Sequence, residues 1–324
     1  GSSVARTRES DASPDIAVAG FAGSLGCVTV FFQETPGAFY PACFFGLADG
    51  QYRMIELTDF DGNGALDVAV AATSGQQDDI VYFLNDGLGN LASQVLTFVA
   101  DNRAPLAIDS GDLDGDGGEP DVVVVNERRN GADSGTFTIV RNQDGFSSET
   151  FTIADPDNSE PAAISLADID GDGHLDAVTA NAGTLDIGVF AGTGQSLQTL
   201  STRVALPGVG VPLTVATGDL VGDDGRPDIV AVDQLGRVLV YENQNGPGSY
   251  GAFAAPLVFE VTPTSDAEDL PPRARLHDLN SNGRLDAITV VSGNRLHLIF
   301  DNAQINCDAD AVPDEARSLS TLIR

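Results

Sequence analysis

The sequence has 324 residues, 42% of them hydrophobic, so it can bury a large core and is not a disordered chain. Its 48 acidic residues against 16 basic ones give a net charge of −32, which disfavours nucleic acid and anionic membranes as partners. No run of 18 apolar residues occurs, so we expect no membrane insertion. No N-terminal signal is visible, and we expect that a signal peptide has been removed.

Aspartate dominates the acidic residues. The chain has 37 Asp and 11 Glu, whereas an ordinary acidic surface would use Glu at least as freely. Asp is favoured in tight turns and as a ligand for cations. The excess therefore indicates a local structural or metal-binding reason.

Five segments repeat one pattern of Asp and Gly residues. They are the Asp59 loop (59–67), the Asp112 loop (112–121), the Asp168 loop (168–176), the Asp219 loop (219–228) and the Asp278 loop (278–286). A sixth, degenerate copy remains at residues 14–16. The closing Asp residues (15, 67, 121, 176, 228 and 286) are 52, 54, 55, 52 and 58 residues apart. A period of this length is typical of β-propeller blades.

In chain order, each period predicts four strands. A β-branched run follows each closing Asp, at 68–70, 122–125, 177–179, 229–230 and 288–291. A second apolar run follows at 80–84, 137–140, 187–190, 238–241 and 296–300, and in three periods it ends in a turn rich in Asn and Gly. A third strand leads onward, and a fourth enters the next Asp loop at 53–58, 106–110, 163–167, 213–218 and 273–277. Helical periodicity is limited to 314–323.

These elements predict an all-β fold, a β-propeller of six blades with four antiparallel strands per blade. Seven blades would require an unrecognised repeat. The first repeat lacks an obvious inner strand unless residues 4–8 supply it, and we expect the two chain ends to complete one shared blade. We predict a single propeller domain over 1–302 and an acidic tail over 303–324.

Each Asp loop has the composition of a Ca²⁺ site. Acidic or amide side chains at loop positions 1, 3, 5 and 9 converge when Gly at positions 4 and 6 allows a sharp turn, and position 7 adds a backbone carbonyl. The predicted ligands are Asp59, Asp61, Asn63, Ala65 and Asp67; Asp112, Asp114, Asp116 and Asp121; Asp168, Asp170, Asp172, His174 and Asp176; Asp219, Asp223 and Asp228; and Asp278, Asn280, Asn282, Arg284 and Asp286. The alternative is that these are ordinary turns, which five copies in register disfavour.

The five loops are not equivalent, and we expect three to five Ca²⁺ ions. The Asp168 loop has four carboxylates at ideal spacing, and the Asp59 loop is nearly as good. The Asp112 loop has one extra residue, which a wider loop could absorb. The Asp219 loop shares that insertion and has Val221 at position 3, so it predicts a weak or empty site. The Asp278 loop, with two amides, should bind more weakly.

At these residues the sequence resembles the FG-GAP/VCBS repeat family, which includes the propellers of integrin α-subunits. The resemblance covers about residues 14–302. It implies structural Ca²⁺ held between the first two strands of each blade, and an extracellular protein used in adhesion or carbohydrate binding. Some fungal lectins and bacterial polysaccharide lyases share the repeat, so the resemblance implies fold and metal better than activity.

The tail and the cysteines leave alternatives open. Residues 306–315 repeat the 1, 3, 5, 9 spacing and resemble dockerin or thrombospondin type-3 Ca²⁺ loops, but an acidic linker explains them equally well. Cys27 and Cys43 flank a hairpin signal, which allows either a disulfide or two buried thiols. Cys307 would remain unpaired.

We expect a protein-interaction or adhesion scaffold at the cell surface or matrix, monomeric and not an enzyme. No common catalytic motif occurs. A lyase would need a cluster drawn from Tyr40, Tyr52, Arg53, Arg103, Arg128 and Arg129, which the sequence cannot place together. A lectin is the alternative, although the chain has no Trp and only 5 Tyr to stack on sugar rings.

Overall fold

Strands supply the regular structure of the described residues in the computed structural model. The described residues are 2–3, 16–22, 25–35, 38–48, 51–73, 78–96, 105–126, 136–142, 150–154, 159–208, 210–260, 273–277, 285–291 and 295–299. None of these ranges contains a helix that could cross a membrane.

The strands form six sheets, numbered here in chain order. Sheet 1 contains β1 (Ser2–Ser3), β2 (Ile16–Ala22), β3 (Leu25–Thr35) and β4 (Ala38–Ala48). Sheet 2 contains β5 (Gln51–Thr58), β6 (Asp67–Thr73), β7 (Asp78–Asn85) and β8 (Leu91–Leu96). Sheet 3 contains β9 (Pro105–Gly111), β10 (Asp121–Asn126), β11 (Thr136–Val140) and β12 (Thr150–Ala154).

The second half of the chain repeats this arrangement. Sheet 4 contains β13 (Pro161–Ala167), β14 (Asp176–Asn181), β15 (Asp186–Gly192) and β16 (Leu197–Ala205). Sheet 5 contains β17 (Pro212–Gly218), β18 (Asp228–Asp233), β19 (Arg237–Tyr241) and β20 (Leu257–Glu260). Sheet 6 contains β21 (Arg273–His277), β22 (Asp286–Val291) and β23 (Arg295–Ile299).

Within each sheet, consecutive strands pair antiparallel in chain order, so each sheet is a simple meander. In sheet 3, for example, Val122 pairs with Val140 and Val124 with Thr138. Every residue of β6, β10, β14 and β18 is buried. These strands are apolar on both faces because both faces are covered, which explains why their sequences are continuous β-branched runs instead of alternating ones.

Contacts divide the chain into two compact units: residues Gly1–Pro161 with Thr193–Thr199, and Ala162–Gly192 with Leu200–Arg324. In the first unit, a core cluster joins sheets 1 and 2 through Val28, Val70 and Phe83. In the second unit, one cluster joins sheets 4 and 5 through side chains such as Ile187 and Tyr241. The single domain predicted over 1–302 stays a prediction.

The six sheets and their antiparallel strands agree with the predicted six blades. The fourth strand of sheet 1 among the described residues is β1, with Ser3 paired to Ile16. The expectation that the two chain ends share one blade stays a prediction. The described part of sheet 6 has three strands. Residues 4–8, the 303–324 tail and the helix expected at 314–323 lie outside the described residues.

The two N-terminal cysteines lie on the paired strands β3 and β4, as the hairpin signal predicted. Cys43 pairs with Thr29, and Cys27 pairs with Phe45, so the two cysteines are offset by two residues. Both are free thiols, Cys27 buried and Cys43 exposed. Of the two alternatives, the structure contains no disulfide here, and only one of the thiols is buried.

Candidate metal-binding loops

In sheets 2 to 5, an Asp loop joins the first strand to the second. The predicted turn geometry is present, because the glycines at positions 4 and 6 take positive φ angles. Gly62 and Gly64 have φ of 70° and 88°, and Gly171 and Gly173 have φ of 73° and 91°. Residues with a Cβ rarely adopt this conformation, so these positions favour Gly.

Three of the loops bring three carboxylates together. The clusters are Asp59, Asp61 and Asp67; Asp112, Asp114 and Asp116; and Asp168, Asp170 and Asp176. Within each cluster, one oxygen from every residue lies within 4.8 Å of the others. Oxygens on opposite sides of a Ca²⁺ ion are separated by about 5 Å, because each lies about 2.3–2.6 Å from it. Each cluster therefore fits around one ion.

The clusters differ in which loop positions they use. Positions 1, 3 and 9 meet in the Asp59 and Asp168 loops, whereas Asp172 at position 5 is not part of the Asp168 cluster. In the wider Asp112 loop, Asp116 joins the cluster and the closing Asp121 does not. The extra residue follows Gly117 and moves the closing Asp one position further along the loop.

Backbone N–H groups within each loop point at the first carboxylate. The amide of Asn63 donates to Asp59 Oδ1 at 3.1 Å, and that of Gly64 donates to Asp59 Oδ2 at 2.7 Å. The amide of Asp172 likewise donates to Asp168 Oδ1 at 3.0 Å. These bonds fix the first carboxylate before any ion binds and offset part of the repulsion among the acids.

The closing Asp of each described loop connects that loop to the end of the third strand of the same sheet. One oxygen of Asp67 accepts the Phe60 N–H at 2.8 Å, and the other accepts the Asn85 N–H at 2.6 Å. The same two-sided arrangement recurs at Asp121, Asp176 and Asp228. A single carboxylate thus satisfies backbone donors from the loop and from the end of the third strand.

Burial raises the pKa of these closing carboxyls. For Asp67, Asp121, Asp176 and Asp228 the pKa is about 6, because desolvation outweighs the backbone hydrogen bonds that favour the charged form. Neighbouring carboxylates, Asp170 beside Asp176 for instance, raise the pKa further. A bound cation would stabilise the same charges that burial disfavours.

The Asp219 loop differs from the other three. Val221 is buried, and the described residues include no three-carboxylate cluster here. Asp223 takes a left-handed φ of 51° between Gly222 and Gly225, which accommodates the insertion. Asp224 is paired with Arg226, and that hydrogen bond lowers its pKa. The structure therefore brings Asp219, Asp223 and Asp228 into no common site.

The last predicted site lies almost entirely outside the described residues. Asp278, Asn280, Asn282 and Arg284 belong to this undescribed segment, as does the tail motif at 306–315. Asp286 is described and begins β22, as a closing Asp should.

Two sets of residues at the loops escaped the sequence analysis. The first is an Asn at or just after the end of the third strand, which the sequence suggests only as a turn residue. Asn142 Nδ2 donates to the carbonyl of Phe60 at 2.7 Å, and Asn243 Nδ2 donates to that of Ile169 at 2.8 Å. Each Asn therefore joins its own sheet to the Asp loop of the preceding repeat. The recurrence of Asn at 85, 142 and 243 is the sequence pattern that could have indicated this role.

The second is Tyr250, which lies on the connection between β19 and β20. Its hydroxyl donates to Asp176 Oδ1 at 3.3 Å, and the neighbouring Asp170 carboxylate helps to raise its pKa. Burial raises the pKa of Tyr250 far above its usual value, so the phenol remains protonated as a donor. No spacing rule in the sequence links Tyr250 to a loop that ends 74 residues earlier.

The repeat pattern matches a known family. The FG-GAP-like repeat matches residues 59–124 and 118–179, which include the first three Asp loops. Residues 59–179 are therefore similar to FG-GAP-like repeats. This confirms the family resemblance predicted from the Asp loops. No curated protein shows significant similarity to the sequence.

Solved structures similar to this chain include β-propellers. The Dos1 propeller matches with a TM-score of 0.56 and 10% identity, over 89% of this chain and 64% of that one. BBS1N, solved in complex with ARL6DN, matches with a TM-score of 0.55 and 15% identity, over 89% and 75%. An Agrocybe aegerita lectin specific for non-reducing terminal N-acetylglucosamine matches with a TM-score of 0.51 and 18% identity, over 85% and 74%. These matches confirm the predicted propeller fold.

The clustered side chains of the Asp loops suit metal binding better than catalysis. The clustered donors are carboxylate oxygens, which hard divalent cations prefer. Of the residues considered for a lyase, Tyr40 is 55% exposed whereas Tyr52 is 6% exposed and packs against Phe83 in the core. Tyr52 is therefore not on a catalytic surface, which corrects its candidacy. Arg103, Arg128 and Arg129 lie outside the described residues.

Proposed function

We propose that this chain is an extracellular, Ca²⁺-binding β-propeller that serves as a scaffold for protein contacts, with Ca²⁺ in a structural role. The observation that carries the proposal is the recurrence of three carboxylates within 4.8 Å in three successive Asp loops. Ordinary turns would not require their acids to converge in each repeat. The FG-GAP-like repeats support the same assignment.

The donor set fits Ca²⁺ chemically. All the clustered ligands are oxygens, and each loop comes from one continuous segment with glycines at the turns, as flexible Ca²⁺ loops require. Asp59, Asp61 and Asp67 would hold one ion, Asp112, Asp114 and Asp116 a second, and Asp168, Asp170 and Asp176 a third. Each ion would neutralise charges that otherwise repel one another across the loop.

A thermal melt with and without excess EDTA tests the calcium part of the proposal. Three ions, each at about 100 times its Kd, would add about 8 kcal/mol to the folded state. We therefore expect chelation to lower the melting temperature by roughly 10 °C or more, with recovery on adding Ca²⁺ back. Asp170→Asn removes one cluster, and we expect it to reduce the shift by about a third. An unchanged melt in EDTA would contradict the proposal.

The scaffold role is supported by BBS1N, a similar propeller that was solved bound to the protein ARL6DN. Extracellular localisation agrees with structural Ca²⁺ sites, and immunodetection of the protein outside intact cells tests it. We infer no enzymatic activity for the chain. Detection of polysaccharide cleavage by the Ca²⁺-loaded protein would refute that inference.

A second candidate is a carbohydrate-binding module. It is favoured by the similarity to a lectin that recognises terminal N-acetylglucosamine. A glycan array probed with the Ca²⁺-loaded protein separates the two candidates. Reproducible binding that a Ca²⁺-free sample lacks would support the lectin, whereas no binding by a folded, Ca²⁺-loaded sample would support the protein scaffold.

A further inference from the structure

The connection between β19 and β20 is longer than its counterparts in the two other sheets where the structure describes it. It covers residues 242–256, compared with 86–90 in sheet 2 and 193–196 in sheet 4. Its conformation is held by hydrogen bonds from the Gln244 amide to the Ala252 carbonyl, at 2.8 Å, and from the Ala254 amide to the Glu242 carbonyl, at 3.0 Å. Asn245 is 2% exposed inside it. The connection is thus a defined structure.

This connection carries Tyr250 onto the Asp168 loop, and both belong to the second unit. The hydroxyl donates to Asp176 Oδ1 at 3.3 Å. The ring packs against the core cluster that contains Ile169 and Tyr241. Tyr250 is therefore fixed at both ends, by its ring at the core and by its hydroxyl at the closing carboxylate of the loop.

The Asp112 loop has a different neighbour. The turn 193–196 approaches it, and the carbonyl of Gly194 lies 3.6 Å from the position that a Cβ on Gly115 would take. That turn contains no aromatic residue. The two loops therefore have different neighbours: Tyr250 bonds the Asp168 loop, whereas the turn 193–196 approaches the Asp112 loop.

A hydroxyl that donates to one carboxylate of a cluster has a specific electrostatic effect. It stabilises the charge of Asp176, which the other acids of the loop repel, and it restricts the rotation of that side chain. Groups that hold metal ligands in place by hydrogen bonds tune the affinity of the site without touching the ion.

Resting on the proposed Ca²⁺ function, we propose that Tyr250 is a positioning residue for the Asp168 metal site. Its hydroxyl holds Asp176 in the ligating arrangement beside Asp168 and Asp170. Loss of the hydroxyl should therefore weaken Ca²⁺ binding and speed Ca²⁺ release at this site and leave the other two clusters unchanged.

The test uses the full chain, stripped of metal with chelator and dialysed. Ca²⁺ binding is measured by calorimetry, and Ca²⁺ release by stopped-flow mixing with a fluorescent chelator. The variants are Tyr250→Phe, which keeps the ring, and Tyr40→Phe, the same deletion at an exposed tyrosine of sheet 1. We expect Tyr250→Phe to weaken one site by about threefold to tenfold, the net value of one typical hydrogen bond, and to speed release from that site alone. Tyr40→Phe should match the wild type.

Terbium provides a second readout that does not depend on the Phe variant folding. Excited tyrosine transfers energy to Tb³⁺ only at short range, so the wild type should show tyrosine-sensitised emission. Tyr82 packs against Phe60 of the Asp59 loop, with the ring centroids 5.0 Å apart, so the Asp59 site should contribute emission as well. Asp170→Asn, which removes a ligand near Tyr250, should abolish only the part that comes from the Asp168 site. Emission in Asp170→Asn equal to that of the wild type would overturn the placement of Tyr250 at this site.

The outcomes separate the two proposals. If the wild type binds Ca²⁺ but Tyr250→Phe has the same affinities and release rates, the role of Tyr250 is overturned and the Ca²⁺ function stands. An equal loss of Ca²⁺ affinity in Tyr250→Phe and in Tyr40→Phe would also overturn the role of Tyr250. If the wild type binds no Ca²⁺ by calorimetry, both proposals fail.

Discussion

At the scale of single residues, the closing aspartates are structural as well as potential ligands. Asp228 illustrates this best because its loop forms no three-carboxylate cluster among the described residues. Its Oδ2 accepts the amides of Leu220 at 2.9 Å and Val221 at 2.6 Å, and its Oδ1 accepts the amide of Asn243 at 2.8 Å. Three buried donors therefore depend on one side chain.

Replacing Asp228 by Asn should destabilise the fold whether or not Ca²⁺ is present. The amide nitrogen of Asn cannot accept a hydrogen bond, so at least one buried backbone N–H loses its partner. We expect the free energy of unfolding to fall by about 2–4 kcal/mol, measured by urea denaturation in Ca²⁺ and in EDTA.

The matched control for Asp228→Asn is Asp223→Asn in the same loop. Asp223 is exposed and has a φ of 51°, a conformation that Asn adopts readily. We expect a change within about 0.5 kcal/mol. Comparable losses in the two variants would contradict the structural role given to the closing Asp.

The raised pKa of the closing carboxyls predicts an unusual pH dependence. Their pKa is about 6 in the folded chain, compared with about 3.9 in an unfolded one, so the native state binds protons more tightly. The stability from this protonation is complete below the unfolded pKa and is lost as the pH rises through 6. In EDTA, the free energy of unfolding should therefore be higher at pH 5 than at pH 7.5, by roughly 1 kcal/mol per carboxyl, and the melting temperature should be higher as well.

Calcium should reverse the sign of this dependence. Protons compete with the ion for Asp67 and Asp176, so acidification of the Ca²⁺-loaded protein should release the ion and lower the melting temperature. The check is a set of melts at both pH values, with EDTA and with Ca²⁺. A melting temperature that falls on acidification in EDTA as well would contradict the assigned pKa direction.

At the scale of elements, the end of the third strand is built in two ways. In sheets 3 and 5, Asn142 and Asn243 occupy this position, and their side chains bond the preceding Asp loop. In sheet 4, Gly192 occupies it, and its amide still donates to Asp176 Oδ1 at 2.7 Å. Gly192 is required because its backbone passes very close to the carbonyl of Leu175.

Gly192→Ala should therefore be strongly destabilising. The new Cβ would lie 2.2 Å from the Leu175 carbonyl oxygen, and this neighbour is backbone that cannot move aside. We expect a loss of about 3 kcal/mol in urea denaturation. Gly246→Ala is the control, since a Cβ there meets nothing within 4 Å. If Gly192→Ala unfolds at the same urea concentration as the control, the close approach is refuted.

The strands were predictable from the sequence because their signal is local. Each closing Asp is followed by a β-branched run, and the run at 122–125 lies within β10. The positive φ of Gly62 and Gly64 was predictable for the same reason, since a short turn imposes it. The hydrogen bonds of Asn142 and Tyr250 were not predictable, because their partners lie 82 and 74 residues away and depend on how sheets pack.

At the scale of the whole molecule, charge is the dominant feature. The chain has a net charge of −32, and much of it is concentrated in the Asp loops. Three bound divalent ions would reduce the net charge to −26. Repulsion between carboxylates should therefore limit stability most severely when the loops are empty.

Added salt should then act differently on the two forms of the protein. At about 0.05 M NaCl the charges of neighbouring loops interact over more than 10 Å, whereas at about 0.5 M they are screened within roughly 4 Å. In EDTA, this increase in NaCl should raise the melting temperature by several degrees, because it relieves repulsion that no cation neutralises. With saturating Ca²⁺ the same series should give a clearly smaller rise, since the most crowded carboxylates are already compensated. Sucrose at equal osmolality controls for excluded volume and should shift both forms equally. Parallel salt responses with and without Ca²⁺ would mean that repulsion within the Asp loops is not what destabilises the metal-free protein.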